Sequence, residues 1–468
     1  MQQQEQKRQD RSKQAQDKKI FIKTYGCQMN FYDSEKMEEL MEDQGYGLTQ
    51  EVDQGDLVVL NTCHIREKAA EKMYSELGRI RNIKEKRKQE GKNTVIAVAG
   101  CVAQAEGEEI KSRAPYVDVI VGPQSYQRLP GLVKNAEKGA KKGLDLDFST
   151  VDKFDFLDEE VEKEQQKKEN PFEVKSSAFL TIQEGCDKFC TFCVVPYTRG
   201  AEYSRSVSEV YREALRLAER GAKEIVLLGQ NVNAYHGRGP DGNSWSLGKL
   251  IRHIAEIPQV ERIRYTTSHP RDVDDDLIEA HRDVEKLMPF LHLPVQSGSD
   301  NILKKMNRKH SSDDYRRIID KFREASPEIE FSSDFIVGYP GESEQDFRDT
   351  MKLVEDVGFS LSYSFIYSAR PGTPAANIED DTSKSVKTER LQELQALLER
   401  QMIERAKEKV GKKLPVLINR KGKYEGQVQG FTPHMQPVIL EDAEQHFNTI
   451  KEVEINSLKD RALLGSLV

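Results

Sequence analysis

Short apolar runs recur along the chain, and segments of helical period separate them. In the N-terminal quarter, KIFIKTYGC ends at Cys27, DLVVLNTC at Cys63, TVIAVAGC at Cys101, and VDVIVG at Gly122. Runs of this length and β-branched content predict strands. The intervals Cys27–Cys63 and Cys63–Cys101, 36 and 38 residues, suit strand–helix–strand units. Met37, Leu40 and Met41 follow the i, i+3, i+4 spacing of a helix, and REKAAEKMYSELGRIRNIKEK is a long helix former. The expected fold is an α/β doubly wound parallel sheet. Right-handed crossovers place the carboxyl ends of its strands on one edge, where such sheets bind ligands. Cys27, Cys63 and Cys101 then converge on that edge. Burial as three apolar cysteines is the competing reading.

From residue 144 to 175 the period fails. DLDFSTVDKFDFLDEEVEKEQQKKENPFEV is charge-rich and predicts a linker. A second β/α series follows: SAFLTIQ, EIVLLGQNV, RIRYTTSHP, FLHLPVQSGS, FSSDFIVGYPG and SLSYSFIYSARPGT, with helical stretches such as SEVYREALRLAERG between them. Six such units predict a complete or partial parallel barrel, whose site lies at the carboxyl ends of the strands. Those ends carry Gln230 and Asn231, Ser268 and His269, Gln296 and Ser297, and Gly338. A charged helix near 384–409 leads to about five short β runs with Gly and Lys turns, expected as a small antiparallel β-barrel. Arg420, Lys421 and Lys423 crowd one of its turns, as a phosphate contact or an ordinary solvated hairpin.

Composition bounds the picture. With 468 residues the chain has room for about three domains. No apolar run reaches the ~18 residues of a membrane span. The start, MQQQEQKRQDRSKQAQDKK, lacks the apolar core of a signal peptide and reads as a disordered tail, so the expected compartment is cytoplasmic. Six cysteines in such a chain are not expected to form disulfides. A net charge of −8 argues against a basic nucleic-acid coat while leaving room for a local patch.

The remaining cysteines lie in EGCDKFCTFCVVPYTRG, as Cys186, Cys190 and Cys193. Structural zinc uses four ligands in paired C-x2-C hooks, and an iron–sulfur cube also takes four thiolates as a rule. Three thiolates leave one iron open to a substrate. No phosphate loop and no H-E-x-x-H motif compete for the chemistry.

C-x3-C-x2-C after the first strand of a β/α series resembles the radical S-adenosylmethionine (SAM) enzymes. Together with TYGCQMN, NTCHIREKA, AGCVAQAEG, LLGQNVNAY, LPVQSGSD and DFIVGYPGE, it resembles the radical SAM methylthiotransferases from about residue 19 to the end. NTCHIREKA and VVPYTRG lie closer to the branch acting on isopentenylated tRNA than to those acting on threonylcarbamoyl-adenosine or a ribosomal protein. Ala201 departs from the acidic residue expected after TRG. The resemblance implies a tail at 1–18, a methylthiotransferase domain at 19–143, a linker at 144–175, a radical SAM domain at 176–402 and an RNA-binding TRAM barrel at 403–468.

It also implies two [4Fe–4S] clusters, one on Cys186, Cys190 and Cys193, which act in SAM cleavage, and one on Cys27, Cys63 and Cys101, which carries the sulfur to be inserted. SAM contacts are expected from Phe192, Gln230, Asn231, Ser268, His269, Gln296, Ser297 and Gly338. RNA contacts are expected from Arg199, Arg420, Lys421 and Lys423, although Arg199 also suits a salt bridge inside the barrel. The implied reaction is methylthiolation of C2 of N6-isopentenyladenosine at position 37 of tRNA. The implied partners are that tRNA, SAM, a low-potential electron donor such as flavodoxin or ferredoxin, and a sulfur donor, with no membrane. A non-catalytic iron–sulfur RNA-binding protein and a zinc-stabilised structural protein are the rivals from other classes.

Overall fold

The computed structural model describes residues 18–63, 69–139, 143–148, 153–154 and 175–468. The expected tail lies outside these residues up to Lys18, as does most of the expected linker. Two compact units interleave in sequence. Segments 184–187 and 193–203 group with the N-terminal residues, whereas 188–192 and everything after 204 form the second unit.

The first unit is a six-stranded parallel sheet, ordered β2-β1-β3-β4-β5-β6. Its strands are β1 (Lys18–Tyr25), β2 (Tyr46–Leu48), β3 (Leu57–Thr62), β4 (Val95–Gly100), β5 (Val119–Val121) and β6 (Gly143–Asp145). Both faces are covered. Met37, Leu40, Val59 and Leu129 fill one core, and Met73, Leu77, Val98 and Ile110 fill the other. A sheet buried on both sides has no polar alternation, which is why its strands read as unbroken apolar runs. The outer strands β2 and β6 are only three residues long and left no such signature. β6 pairs Leu144 with Ile120, so the span expected as linker begins as part of the sheet. Lys153 and Phe154, also in that span, are fully buried in this unit. The linker reading is corrected at these positions.

In the second unit β7 (Ser177–Thr181), β10 (Glu224–Leu228) and β11 (Arg262–Tyr265) form one parallel sheet. β12 (Phe290–His292), β13 (Glu330–Val337) and β14 (Leu361–Ile366) form another. The two-residue strands β8 (Gln183–Glu184) and β9 (Tyr203–Ser204) lie between β7 and β10 in sequence. A bridge from Ile263 to Leu287 continues the order across β11 and β12, which gives six parallel strands in chain order. Helices Val207–Glu219, Leu247–Ala255, Ser312–Ala325 and Glu344–Val357 pack one apolar face into a common core. Ser206, Ser246, Ser311 and Ser343 cap them through the side-chain oxygen.

The helix Lys384–Lys407 leads to a closed five-strand barrel ordered β15-β16-β17-β19-β18, comprising β15 (Lys413–Lys421), β16 (Gln427–Phe431), β17 (Pro437–Glu441), β18 (Thr449–Lys459) and β19 (Ala462–Leu467). One closing pair, β17 with β19, is parallel, which corrects the all-antiparallel expectation. Arg262 ties this barrel to β11 by donating to the carbonyls of Pro415 at 2.6 Å and Phe431 at 3.0 Å.

Candidate active site

The first unit gathers three thiols at adjacent strand ends. Cys27 caps the helix Gln28–Glu42 just beyond β1, Cys63 follows β3, and Cys101 opens the helix Cys101–Arg113 just beyond β4. β1, β3 and β4 are hydrogen-bonded neighbours. Gly26 (φ +127°) makes the approach possible, because a Cβ there would lie 2.1 Å from Cys63 Cβ. Gly100 (φ +89°) is confined in the same way, 2.4 Å from Asn61 Oδ1.

Around the thiols lies a buried polar network. Arg199, 2 % exposed, donates to Glu184 and to Asp33, each at 2.6 Å, and to Asn30 Oδ1 at 3.3 Å. Lys153 pairs with Glu184 at 2.7 Å and with Asp33 at 3.5 Å. Two cations and two carboxylates thus neutralise one another. Burial opposes the charge of Arg199, but Asp33, Cys101, Glu184 and Cys27 outweigh it and hold the guanidinium charged. In return the Cys27 thiol is pulled down to about 6. A hydrogen bond from Cys63 is the main cause and the Arg199 charge a lesser one, working against desolvation. Burial pushes the Cys101 thiol up, partly offset by Arg199. Arg199 is therefore corrected from an RNA contact to a structural cation, the salt-bridge alternative, although its partners lie in the N-terminal unit rather than the barrel. Cys186 and Cys193 share this unit, with Cys186 N–H donating to the Gly200 carbonyl at 3.3 Å.

Cys190 belongs to the second unit, at the carboxyl ends of its strands. The segment around it is held by the turn after Leu303. Thr191 N–H donates to Met306 O at 3.1 Å, and Asn307 Nδ2 donates to Phe189 O at 3.0 Å. Asn307 and Lys309 both adopt left-handed backbone, as do Thr267 (φ 71°) and Gln296 (φ 77°) at other strand ends. Non-glycine residues in this region store strain, and such outliers cluster at functional sites.

The expected SAM residues divide. Gln183 Oε1 accepts from Gln230 N–H at 2.9 Å and from Asn231 N–H at 3.1 Å. Asn231 donates to Asp272 at 2.8 Å, and Lys188 pairs with the other oxygen of Asp272 at 2.7 Å. His269 Nδ1 accepts from Arg271 N–H at 3.1 Å, so the neutral ring carries its proton on Nε2. Burial, reinforced by Arg308 and His310, drives the imidazolium pKa far below its usual range. His310 is pushed down to about 4 by burial and by Arg308. Asn231 Oδ1, Ser268 Oγ, His269 Nε2 and His310 Nε2 are all buried with no hydrogen-bond partner. Orphaned buried donors and acceptors call for a ligand with both kinds of group, as SAM has.

The other expected contacts have neighbours inside the second unit. Ser297 Oγ lies 3.2 Å from Thr350 Oγ1. Gly338 (φ +67°) turns the chain, and its N–H donates to Glu342 at 2.7 Å. Phe192 packs, partly buried, against the Ile302, Met306 and Tyr339 cluster. Sequence reasoning missed Lys188, Asp272 and Arg308, none of which has a spacing signature. Arg420, Lys421 and Lys423 are exposed and form no ion pair among the described residues. Arg420 lies over the Phe431 ring at 4.7 Å.

Among the described residues, no three His, Cys, Asp or Glu gather as a single metal ion would need. A [4Fe–4S] cube offers each thiolate a different iron and so accepts a wider spacing. Three thiols on one sheet edge, one of them with a lowered pKa, fit such a cube better than a tetrahedral zinc ion.

Comparison with known proteins places these features. A model described as Uncharacterized protein family UPF0004 matches residues 19–122, and a model of the Radical SAM superfamily matches 180–354. The methyltransferase TsrM from Kitasatospora setae, solved with cobalamin and a [4Fe–4S] cluster, aligns with TM-score 0.53 at 12 % identity, over 77 % of each chain. The cobalamin-dependent radical enzyme OxsB aligns with TM-score 0.51 at 13 % identity, over 82 % of this chain and 56 % of that one. These likenesses concern the fold alone. The class is that of the radical SAM enzymes, defined by six parallel strands with the three-cysteine loop after the first.

Two curated relatives, from Wolbachia pipientis subsp. Culex pipiens (strain wPip) and Wolbachia pipientis wMel, are each 55 % identical over 450 residues. The match spans 96 % of this chain and 99 % of each relative, and both are described as tRNA-2-methylthio-N(6)-dimethylallyladenosine synthase. The chain belongs to that family of radical SAM methylthiotransferases.

Proposed function

We propose that this chain methylthiolates C2 of N6-isopentenyladenosine at position 37 of tRNA, using SAM and two [4Fe–4S] clusters. The observation that carries the reading is the full-length 55 % identity to synthases of that name, joined to two sets of three thiols at strand ends. An aromatic C2–H bond resists side-chain acid–base chemistry, so a cofactor has to do the hard step. When bound, clusters of this kind supply the low-potential electron that cleaves SAM and an iron that holds the sulfur.

The chain's own residues bind and orient. Cys186, Cys190 and Cys193 would hold one cluster and Cys27, Cys63 and Cys101 the other. Asn231, Ser268, His269 and His310 offer the unsatisfied groups for SAM. His269 remains neutral and donates through Nε2 without moving a proton. Arg420, Lys421 and Lys423 contact tRNA phosphates, which contribute affinity without reading sequence. The modified base, beside the anticodon, lies in a loop from which it can be unstacked. A low-potential donor such as flavodoxin or ferredoxin and a sulfur donor complete the reaction, in the cytoplasm; no described helix is long and apolar enough to cross a membrane.

The test is anaerobic reconstitution with iron and sulfide, followed by SAM, reductant and isopentenylated tRNA, with mass spectrometry of the digested nucleosides. A methylthio mass gain on that base is expected. A gain only on threonylcarbamoyl-adenosine tRNA, run in parallel, would replace the substrate. No gain on either would sink the reading.

A further inference from the structure

We infer that Arg308 is a positioning residue for the radical-site cluster, holding the Cys190 thiolate and setting the charge around it. This rests on the assignment of Cys190 as a cluster ligand. Arg308 is 5 % exposed, and no carboxylate pairs with it among the described residues. Its Nη1 donates to Cys190 Sγ at 3.6 Å, and Nη2 donates to the Pro294 carbonyl. Nε is buried with no partner.

A buried guanidinium without an anion is costly, because water is removed and no counter-charge replaces it. Its neighbours do not help: His269 and His310 are held neutral, and the sulfur it donates to among the described residues is that of Cys190. The anion that repays its burial is therefore the thiolate of the bound state. The backbone supports the same role. Arg308 lies between Asn307 (φ 60°) and Lys309 (φ 59°), and the same turn holds the Cys190 segment through Met306 and Asn307. One strained turn thus fixes both the thiol's backbone and the cation that faces its sulfur.

Hydrogen bonds to cluster sulfurs and nearby positive charge raise reduction potentials. Arg308→Met and Arg308→Lys would be made in the full chain, reconstituted, and checked for iron and sulfide against the unmodified protein. The reduced signal that SAM perturbs in electron paramagnetic resonance would then be followed through a redox titration. Arg308→Met is expected to shift the midpoint to more negative potential, with Arg308→Lys intermediate. An unchanged midpoint at full iron content in both overturns the inference. So does a change confined to SAM affinity, which would make Arg308 a SAM-carboxylate ligand instead. If Arg308→Met does not fold, the lysine variant decides alone. A protein with no SAM-responsive signal would overturn the site assignment and this inference together, and the unmodified chain reveals that case first.

Discussion

The two thiol sites each have a buried arginine, and the two arginines are satisfied in opposite ways. Arg199, beside Cys27 and Cys101, meets Asp33 and Glu184 and shares them with Lys153, so its charge is balanced by protein. Arg308, beside Cys190, meets a sulfur and a carbonyl, with no carboxylate partner among the described residues. The first arrangement is self-sufficient before any cofactor arrives. The second leaves a buried charge without a carboxylate and several buried polar atoms without a hydrogen-bond partner among the described residues. A buried cation therefore does not identify a site by itself; the sign and ownership of its counter-charge do.

The largest expected effect separates the two sites by function. Cys190→Ala should abolish 5′-deoxyadenosine formation, whereas Cys27→Ala should retain it and lose the methylthio product. Full product from the Cys27 variant would merge the two sites into one.

A smaller effect separates the arginines by stability. Arg199→Met leaves two buried carboxylates sharing the charge of Lys153 and should cost about 3–5 kcal/mol, read as a lower first thermal transition. Arg308→Met leaves no carboxylate behind and should cost only about 1–2 kcal/mol, for a carbonyl left unbonded. Equal losses would erase the distinction.

The smallest effect lies farthest from both sites. Neutralising Arg420, Lys421 and Lys423 together should weaken tRNA binding and reduce its log–log salt slope by about two to three. An unaltered slope would move the phosphate contact off this turn.

Much of the fold was legible in the sequence, because buried parallel strands must be apolar throughout and helices between them must show one apolar face. β3 and β4 are buried at every position and could be read directly. β2 and β6, three residues each at the sheet edges, carry too little pattern to be seen. Lys153 misled for a different reason. In sequence it belongs to a charged stretch and looks solvated, yet it is fully buried against Glu184.

The sequence by itself determined the strand periodicity, the two sets of three cysteines and their place at strand ends, since strand polarity and crossover handedness leave little freedom there. Only the tertiary structure decided which charges neutralise one another. Asp33 and Arg199 are 166 residues apart in the chain, and a contact over that distance follows no local period. It also decided that segments 184–187 and 193–203 group with the N-terminal sheet while Cys190 groups with the barrel. That division depends on packing, which local sequence does not encode.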